Sequence, residues 1–171
     1  MSSLKVARMG NPVLRKKARA LDRKDLKSAN VQKLIDDMLH TMIEYHGAGL
    51  AAPQVHLDLR LFVAIDDPEN DAEPVVFVNP EITKRSDEIV EDWEGCLSIP
   101  DVRGKVPRAR EITVRALDRN GERMEFDARE FAARVIQHEY DHIEGILFLD
   151  RMRSLDSLAF VSVVSTVAPA F

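Results

Sequence analysis

The chain has 171 residues, 45% of them hydrophobic and 31% charged, with a formal net charge of −5. This composition excludes wholesale disorder and low-complexity or collagen-like sequence, and it indicates a globular protein long enough to bury a substantial core. The negative charge argues against direct readout of a nucleic acid, and no apolar run is long enough for a membrane-spanning helix. Residues 1–8 also lack the apolar stretch of a secretory signal. We expect one domain over residues 1–171 in a reducing compartment, because the single cysteine, Cys96, cannot form an intramolecular disulfide.

The first predicted regular element is a helix that follows an irregular or extended lead-in over residues 1–27. Seven apolar residues recur at helical spacing and should face the core: Val31, Leu34, Ile35, Met38, Leu39, Met42 and Ile43. Ser28 or Asn30 can cap the start of this helix, and Gly47 is expected to end it.

The middle of the chain favours β-strands. Short apolar or alternating segments predict strands at 61–65, 75–78, 88–93, 111–117 and 123–126. Between the last two, Asp118-Arg119-Asn120-Gly121 predicts a hairpin turn, because Asn-Gly tolerates the positive φ that such turns need. Strands that follow one another without helices between them predict a mostly antiparallel sheet.

A second helix is predicted after Phe126 and is expected to end at Gly145. Asp127 and Glu130 have the spacing of a capping box at its start. One stripe of this helix should point into the protein, and it contains Phe131, Val135, His138 and His142. Together the elements predict an α+β fold in which mostly antiparallel sheets pack around a central helix that carries the two histidines.

The tail, Leu155 to Phe171, has no charged residue after Asp156. We expect it to pack on the domain as a strand or a helix. A contact between two copies of the chain, or a frayed end, is the alternative.

The pattern His138-Glu139-Tyr140-Asp141-His142 matches the motif His-Glu-x-x-His. Residues four apart on a helix lie about one turn apart, so both imidazoles can bind one metal ion while Glu139 reaches a water on that ion. The alternative is a pair of core histidines satisfied by hydrogen bonds. It is disfavoured because burying two imidazoles and a carboxylate without an ion costs desolvation free energy.

A hydrolytic metal site needs a third protein ligand and one open coordination position. Cys96 is one candidate, because a thiolate binds divalent transition metals strongly. The carboxylates downstream of the helix, Glu144, Asp150 and Asp156, are the other candidates, and none of them is clearly placed for the role.

The segment Gly47-Ala48-Gly49-Leu50-Ala51-Ala52-Pro53-Gln54 follows the first predicted helix directly. Two glycines that flank one small residue let an extended peptide lie along the backbone, and Gln54 offers an amide donor. A helix stop followed by a turn is the structural alternative.

In this order, residues 47–54, 94–98 and 138–142 resemble the three motifs of the peptide deformylases: Gly-x-Gly-Leu-Ala-Ala-x-Gln, Glu-Gly-Cys-Leu-Ser and His-Glu-x-x-His. The similarity extends over most of residues 8–153. These metal hydrolases remove the N-formyl group from the formylmethionine that begins nascent bacterial and organellar polypeptides. The resemblance implies N-formylmethionyl peptides and nascent chains as substrates, formate as a product, and a bacterial cytoplasmic or organellar location.

Carried over residue by residue, the resemblance makes Cys96, His138 and His142 the metal ligands and Glu139 the general acid/base. The Leu97 backbone N–H and the Gln54 side-chain amide are expected to stabilise the oxyanion that forms at the formyl oxygen. Further positions are expected at the substrate backbone and in the methionine pocket. These are Gly47, Ala48, Gly49, Glu94 and Gly95, with Phe131, Arg134 and Val135 as candidates for the pocket wall.

The resemblance also implies one divalent ion, usually Fe²⁺, which Zn²⁺, Ni²⁺ or Co²⁺ can replace. The uncharged tail departs from the charged terminal helix through which many bacterial deformylases contact the ribosome, so such contact is doubtful here. Two other functions fit parts of the pattern: a zinc endopeptidase with a carboxylate as third ligand, and a non-catalytic domain stabilised by a metal. The second function has no use for Glu139.

Overall fold

A computed structural model describes residues 1–65 and 73–164 of the chain. It contains the helices α1 (Arg23–Leu26), α2 (Ala29–Glu44), α3 (Glu130–Ile143) and α4 (Phe148–Arg151), and the short 3₁₀ helices Pro12–Arg15 and Ala52–Val55. Its strands are β1 (Gly49–Ala51), β2 (Leu61–Ala64), β3 (Val75–Arg85), β4 (Ile89–Cys96), β5 (Ile99–Ala109), β6 (Glu111–Leu117), β7 (Arg123–Arg129) and β8 (Ala159–Phe160).

The strands form two sheets, and α3 lies between them. One sheet has the order β1-β2-β3-β6-β7 and the other has the order β4-β5-β8. Every pairing is antiparallel. Helix α3 contacts β1 and β2 of the first sheet and β5 of the second. The predicted α+β fold with antiparallel sheets around a helix is confirmed.

The core forms where α2 and α3 cover the five-stranded sheet. Phe62 and Phe77 stack with ring centroids 4.8 Å apart, and Val135 and Ile136 of α3 belong to the same buried cluster. Burying a side chain of this size stabilises the fold by about 1.5–3 kcal/mol. The apolar stripe of α2 packs on the opposite face of the sheet, because its cluster contains the alternate residues of β2 and β3, and Met38 has no exposed surface there. Ile43 was expected in the same stripe, and that expectation is wrong: the residue lies in the last turn of α2 and is 62% exposed.

Helix α2 begins as predicted and ends earlier than predicted. The Ser28 hydroxyl accepts a hydrogen bond from the Val31 N–H at 3.3 Å, so Ser28 is the cap. The last helical residue is Glu44, and the left-handed residue that follows is His46, with φ of 54°. The expected stop at Gly47 is therefore wrong, because the backbone has already turned at His46.

Helix α3 begins later than predicted, and the capping box at Asp127 is wrong. Strand β7 continues through Arg129, and Thr113 on the neighbouring strand donates a hydrogen bond to Asp127 at 2.7 Å. The Asp127 side chain is thus engaged in a cross-strand hydrogen bond. Its backbone belongs to β7, so the helix cannot begin there. The predicted end is confirmed, because Gly145 has a left-handed φ of 76° just after the helix.

Strand β5 was not predicted, since it contains Pro100, Gly104 and Pro107. It pairs along its length with β4, whereas β8 covers its other side only at Val102 and Arg103 among the described residues. Prolines are tolerated on such a sparsely paired side because they have no N–H to donate. Strand β1 also went unpredicted, and β3 extends beyond the predicted 75–78.

The tail packs on the domain over its described part, because β8 adds a short strand to β5. Residues 165–171 of the tail lie outside the described residues. Within 1–65 and 73–164, no helix combines the length and the apolar character needed to cross a bilayer.

Candidate metal and substrate site

Three potential metal ligands come together between α3 and the end of β4. Cys96 is the last residue of β4, and His138 and His142 lie about one turn apart on α3. Their ligand atoms all lie within 4.8 Å of one another, and Cys96 Sγ is 3.3 Å from His142 Nε2. Cys96 lies more than forty positions from either histidine along the chain, yet the three side chains form one compact set of potential ligands.

The donor set fits a divalent transition metal. In a tetrahedral site, sulfur at about 2.3 Å and nitrogen at about 2.0 Å from one ion lie roughly 3.5 Å apart, close to the separation seen here. All three side chains are buried. Among the described residues, His142 Nδ1 and Glu139 Oε2 have no hydrogen-bond partner. Buried polar atoms are normally hydrogen-bonded, so these two atoms leave room for a water molecule or another ligand in the site. Thiolate and imidazole donors suit Fe²⁺, Zn²⁺, Ni²⁺ and Co²⁺ alike.

The pKa values of the two histidines shift in opposite directions. Burial lowers the pKa of His142 well below its ordinary value and favours the neutral imidazole that binds metals. At His138, burial also favours the neutral ring, but hydrogen bonds with Cys96 and Glu94 outweigh it and raise the pKa. A metal ion entering the site would compete with that proton for the ligand atoms.

Glu139 is buried beside the two histidines and close to β1. Burial raises the pKa of its carboxyl to about 7, because the charged form loses hydration. A carboxyl with such a pKa can take up and return a proton near neutrality. A Cβ on Gly49 would lie 2.5 Å from Glu139 Oε1, so only glycine fits there without a shift.

Glu94 anchors a buried network behind His138. Its Oε2 lies 2.9 Å from His138 Nδ1, and Arg108 donates to both carboxylate oxygens at 2.8 and 3.0 Å. Arg134 adds a hydrogen bond at 3.0 Å. Burial opposes ionisation of Glu94, but the charge of Arg108 and the hydrogen bonds from His138 and Arg108 lower its pKa and keep it ionised. The carboxylate therefore orients the His138 ring.

The expected place of Glu94 at the substrate backbone or pocket stays a prediction, and the structure shows that its side chain is engaged within the protein. Glu94 has no exposed surface, and its carboxylate is engaged by protein groups. Arg108 extends the network to Asp141, which in turn accepts hydrogen bonds from Arg151. The network of Glu94, Arg108, Arg134 and Asp141 was missed because linear spacing does not show which buried charges will meet.

The side-chain amide nitrogen of Gln54 points toward Cys96. Its Oε1 accepts the Ala51 N–H at 2.8 Å, which fixes the orientation of the amide. Nε2 then lies 3.6 Å from Cys96 Sγ and 3.3 Å from the Ser98 hydroxyl. Leu97 follows Cys96 directly, in the turn that joins β4 to β5.

The segment 47–49 brings backbone close to the same centre. Strand β1 lies at the edge of the five-stranded sheet, with β2 as its neighbour. Ala48 is buried, and its carbonyl accepts the Ile65 N–H at 2.9 Å. A Cβ on Gly47 would lie 3.1 Å from Leu97 Cδ1. The open side of an edge strand can pair with an extended peptide.

The three positions expected in the methionine pocket lie on α3 but differ in surroundings. Val135 has no exposed surface and packs in the core, and Phe131 is half-buried against the same cluster. The Arg134 guanidinium donates to the carbonyl oxygens of Val90 and Val106, both at 2.7 Å. Their contribution to a pocket stays a prediction.

None of the downstream carboxylates belongs to the cluster of potential ligands: two of them pair elsewhere, and the third, Asp156, is exposed. Glu144 pairs with Arg60 and Lys17, and Asp150 pairs with Arg15 and accepts the Leu147 N–H. The cluster of potential metal ligands instead contains Cys96. The geometry therefore does not favour the endopeptidase alternative, which needs a carboxylate as third ligand.

Comparison with known proteins identifies the family. Residues 3–157 match the family model described as polypeptide deformylase. Peptide deformylase 2 of Nostoc sp. is 42% identical over 157 residues, which cover 88% of this chain and 87% of the relative. The K3U-bound crystal structure of the class I type b peptide deformylase from Acinetobacter baumannii is 41% identical with a TM-score of 0.86, over 89% of this chain and 100% of that one.

The Met-Ala-Ser-bound structure of the Acinetobacter enzyme is 40% identical, with a TM-score of 0.84 over 89% of this chain and 100% of that chain. Enzymes of this family are hydrolases that remove the N-formyl group from nascent polypeptides, and the similarity extends along nearly the whole of the described chain. Sequence and fold agree, so the chain is an enzyme and belongs to the polypeptide deformylase family.

Proposed function

We propose that the chain deformylates N-formylmethionyl peptides at a centre in which Cys96, His138 and His142 hold one divalent metal ion. The observation that carries this assignment is the convergence of three buried donor atoms within 4.8 Å, beside a carboxylate oxygen that has no hydrogen-bond partner among the described residues. A site of three protein ligands leaves a coordination position open for reaction.

The reaction adds water to the formyl carbon and breaks its bond to nitrogen, which yields formate and a free N-terminal methionine. When bound, the ion supplies Lewis acidity that activates the water and polarises the formyl carbonyl. Glu139 accepts the proton of the attacking water and returns it to the leaving amine, for which a pKa of about 7 is well suited. Gln54 Nε2 and the Leu97 N–H donate to the oxyanion; each such donor contributes about 3–4 kcal/mol to the transition state.

The remaining residues position the peptide. Its backbone lies along Gly47, Ala48 and Gly49 on one side and Gly95 on the other. The methionine side chain enters an apolar pocket with Phe131, Val135 and the stem of Arg134 in its wall. A formyl group carries hydrogen where an acetyl group carries a methyl, so a tight site excludes acetylated chains by steric clash.

The ion is Fe²⁺ in the cell, with Zn²⁺, Ni²⁺ and Co²⁺ as substitutes, and the enzyme acts on nascent chains in a bacterial cytoplasm. The likeness to bacterial enzymes supports this location. Residues 157–164 carry no charged side chain, so recruitment by the nascent chain is favoured over ribosome docking through the tail.

Formate release from formyl-Met-Ala-Ser by iron- or nickel-loaded protein tests the proposal, with three proteins compared. Glu139→Ala should retain stoichiometric metal and lose nearly all turnover, because it removes the proton carrier and spares the ligands. Cys96→Ser should lose or weaken the metal. The proposal is wrong if Cys96→Ser binds metal and turns over like the wild type, or if Glu139→Ala keeps wild-type turnover.

A further inference from the structure

Residues 7–9, which we call the N-terminal bridge, connect two segments that are far apart along the chain. The Ala7 N–H donates to the Gln54 carbonyl at 2.7 Å, and the Met9 N–H donates to the Ser98 carbonyl at 2.8 Å. Gln54 lies in the second 3₁₀ helix, whereas Ser98 lies in the turn between β4 and β5. The two hydrogen bonds therefore fix that helix and that turn relative to each other.

The side chains of Gln54 and Ser98 also meet. Gln54 Nε2 donates to the Ser98 hydroxyl oxygen at 3.3 Å, while Gln54 Oε1 accepts the Ala51 N–H at 2.8 Å. Ser98 has no exposed surface and Gln54 is buried, so bulk water does not compete for these bonds. An amide nitrogen carries two hydrogens. With one directed at Ser98, the second can face Cys96, whose Sγ is 3.6 Å from Nε2 and beside which the formyl oxygen is proposed to bind.

Leu97, whose N–H is the second proposed oxyanion donor, is joined directly to Ser98 in the chain. The Met9 hydrogen bond to the Ser98 carbonyl therefore also restricts the movement of Leu97. Two donors stabilise one oxyanion only when both lie about 2.7–3.1 Å from it, so their separation must be held closely. A displacement near 1 Å can cost about 100-fold in rate.

We propose that Ser98 and the N-terminal bridge are positioning elements for the two oxyanion donors. Ser98 orients the Gln54 amide, and the bridge sets the distance between that amide and the Leu97 N–H. The inference rests on the proposed function, because the positions matter for the rate only if these two groups donate to the oxyanion. Ser98 and the bridge act through Gln54 and Leu97 and are not themselves catalytic residues.

The first test removes the Ser98 hydroxyl. Ser98→Ala should lower kcat for formyl-Met-Ala-Ser about tenfold, with metal content and KM close to the wild type, because the donor stays present but is less well oriented. Thr113→Val is the matched control: it removes another buried hydroxyl, on β6, which contributes no residue to the site, and it should keep wild-type kcat.

A double-mutant cycle shows whether Ser98 acts through Gln54. Gln54→Ala should lower kcat about 100- to 1000-fold, the usual cost of one oxyanion donor. Adding Ser98→Ala to Gln54→Ala should change kcat by less than about twofold, because the group that Ser98 orients is already gone. Additive losses in the double variant would overturn the proposed role of Ser98.

The second test removes a single N–H from the N-terminal bridge. The Asn11 N–H donates to the Arg8 carbonyl at 3.0 Å, and Gly10 has a φ of 103°, so residues 8–11 form a turn with Met9 in its second position. Proline is favoured at that position when glycine follows. Met9→Pro therefore suits the turn and deletes only the donor to Ser98 and the methionine side chain.

Met9→Pro should lower kcat about tenfold, because the turn that carries Leu97 is less well fixed. Met9→Ala is the matched control, since it also removes the side chain but keeps the N–H, and its kcat should stay near that of the wild type. Equal kcat in Met9→Pro and Met9→Ala would overturn the role of the bridge.

The mobility of the Gln54 amide provides a measurement that does not depend on turnover. In zinc-loaded protein labelled with nitrogen-15, the two Gln54 side-chain signals are identified by their loss in Gln54→Glu. Their heteronuclear NOE should indicate a rigid group in the wild type and in Thr113→Val, and it should fall in Ser98→Ala. An unchanged NOE in Ser98→Ala would contradict orientation by Ser98.

These outcomes separate the inference from the function on which it rests. If the wild type released no formate from formyl-Met-Ala-Ser, the proposed function itself would fail. Normal release by the wild type, with wild-type kcat in Ser98→Ala and Met9→Pro, would overturn only the positioning of the two donors.

Discussion

The carboxylate of Glu94 lies 2.9 Å from His138 Nδ1, and the same imidazole also forms a hydrogen bond with Cys96. Arg108 and Arg134 hold the same carboxylate from behind. A carboxylate on the outer nitrogen of a ligating histidine fixes its tautomer and raises its strength as a ligand. Glu94 is therefore expected to act on the proposed metal ion through His138.

Glu94→Gln should weaken metal binding about 10- to 100-fold, which is the usual effect of losing the carboxylate that hydrogen-bonds to a ligating histidine. It should also destabilise the fold by about 3 kcal/mol, because the charges of Arg108 and Arg134 stay buried with less compensation. Chelator competition measures the first effect and thermal unfolding the second. Glu91→Gln is the control, since Glu91 is exposed on the same strand. Wild-type metal affinity in Glu94→Gln would show that His138 needs no such support.

Gly49→Ala should lower kcat about 100-fold, the cost that a displacement near 1 Å can impose on a reacting group. The added Cβ would lie 2.5 Å from Glu139 Oε1 and 2.7 Å from its Cδ, so the carboxylate must move. Metal content, measured by elemental analysis, should stay at the wild-type level.

Gly47→Ala provides the comparison. Its added Cβ would lie 3.1 Å from the end of the flexible Leu97 side chain, so the loss should be smaller. Equal activity in Gly49→Ala and the wild type would argue that the position of Glu139 is not critical.

The iron form should lose activity in air faster than the nickel form. A thiolate on Fe²⁺ is prone to oxidation, and Cys96 is the sole cysteine that could be affected. Residual formate release after timed aerobic incubation measures the half-lives, and mass spectrometry reports oxygen added to Cys96. Anaerobic samples are the control and should keep both activities. Equal aerobic half-lives for the two metals would contradict this prediction.

Asp150→Asn should reduce stability at neutral pH by less than about 1 kcal/mol, because the ion pair with Arg15 is largely exposed. Partial burial opposes ionisation of Asp150, but hydrogen bonds from Arg15 and the Leu147 N–H lower its pKa below the ordinary value of an aspartate. Its stabilising effect is therefore present above that ordinary value and is lost as the pH falls through the lowered pKa.

Urea unfolding of wild type and Asp150→Asn at several pH values checks this dependence. The two curves should differ at pH 7 and converge in acid, where the wild-type carboxyl is also neutral. A difference that persists unchanged in acid would mean that Asp150 acts through shape and hydrogen bonding instead of charge.

The sequence alone determined the features that depend on local spacing. The stripe of α2 from Val31 to Met42 and the one-turn separation of His138 and His142 follow from the helical period, which holds wherever a helix lies in the fold. The three motifs in order were enough to indicate the family. The Ser28 cap and the Gly145 end were likewise readable, because capping depends on neighbouring residues.

Only the tertiary structure decided the features that depend on residues distant along the chain. Asp127 has the spacing of a cap, yet it pairs with Thr113 because β6 lies beside it. Glu94 belongs to a motif associated with substrate, yet buried arginines turn its carboxylate toward His138. Strand β5 forms despite its prolines, because β4 pairs with it along one side and supplies its backbone hydrogen bonds there. In each case the outcome depends on a residue or strand that is distant along the chain. Its position determines which of the competing local conformations has the lower free energy, and no local sequence pattern encodes that position.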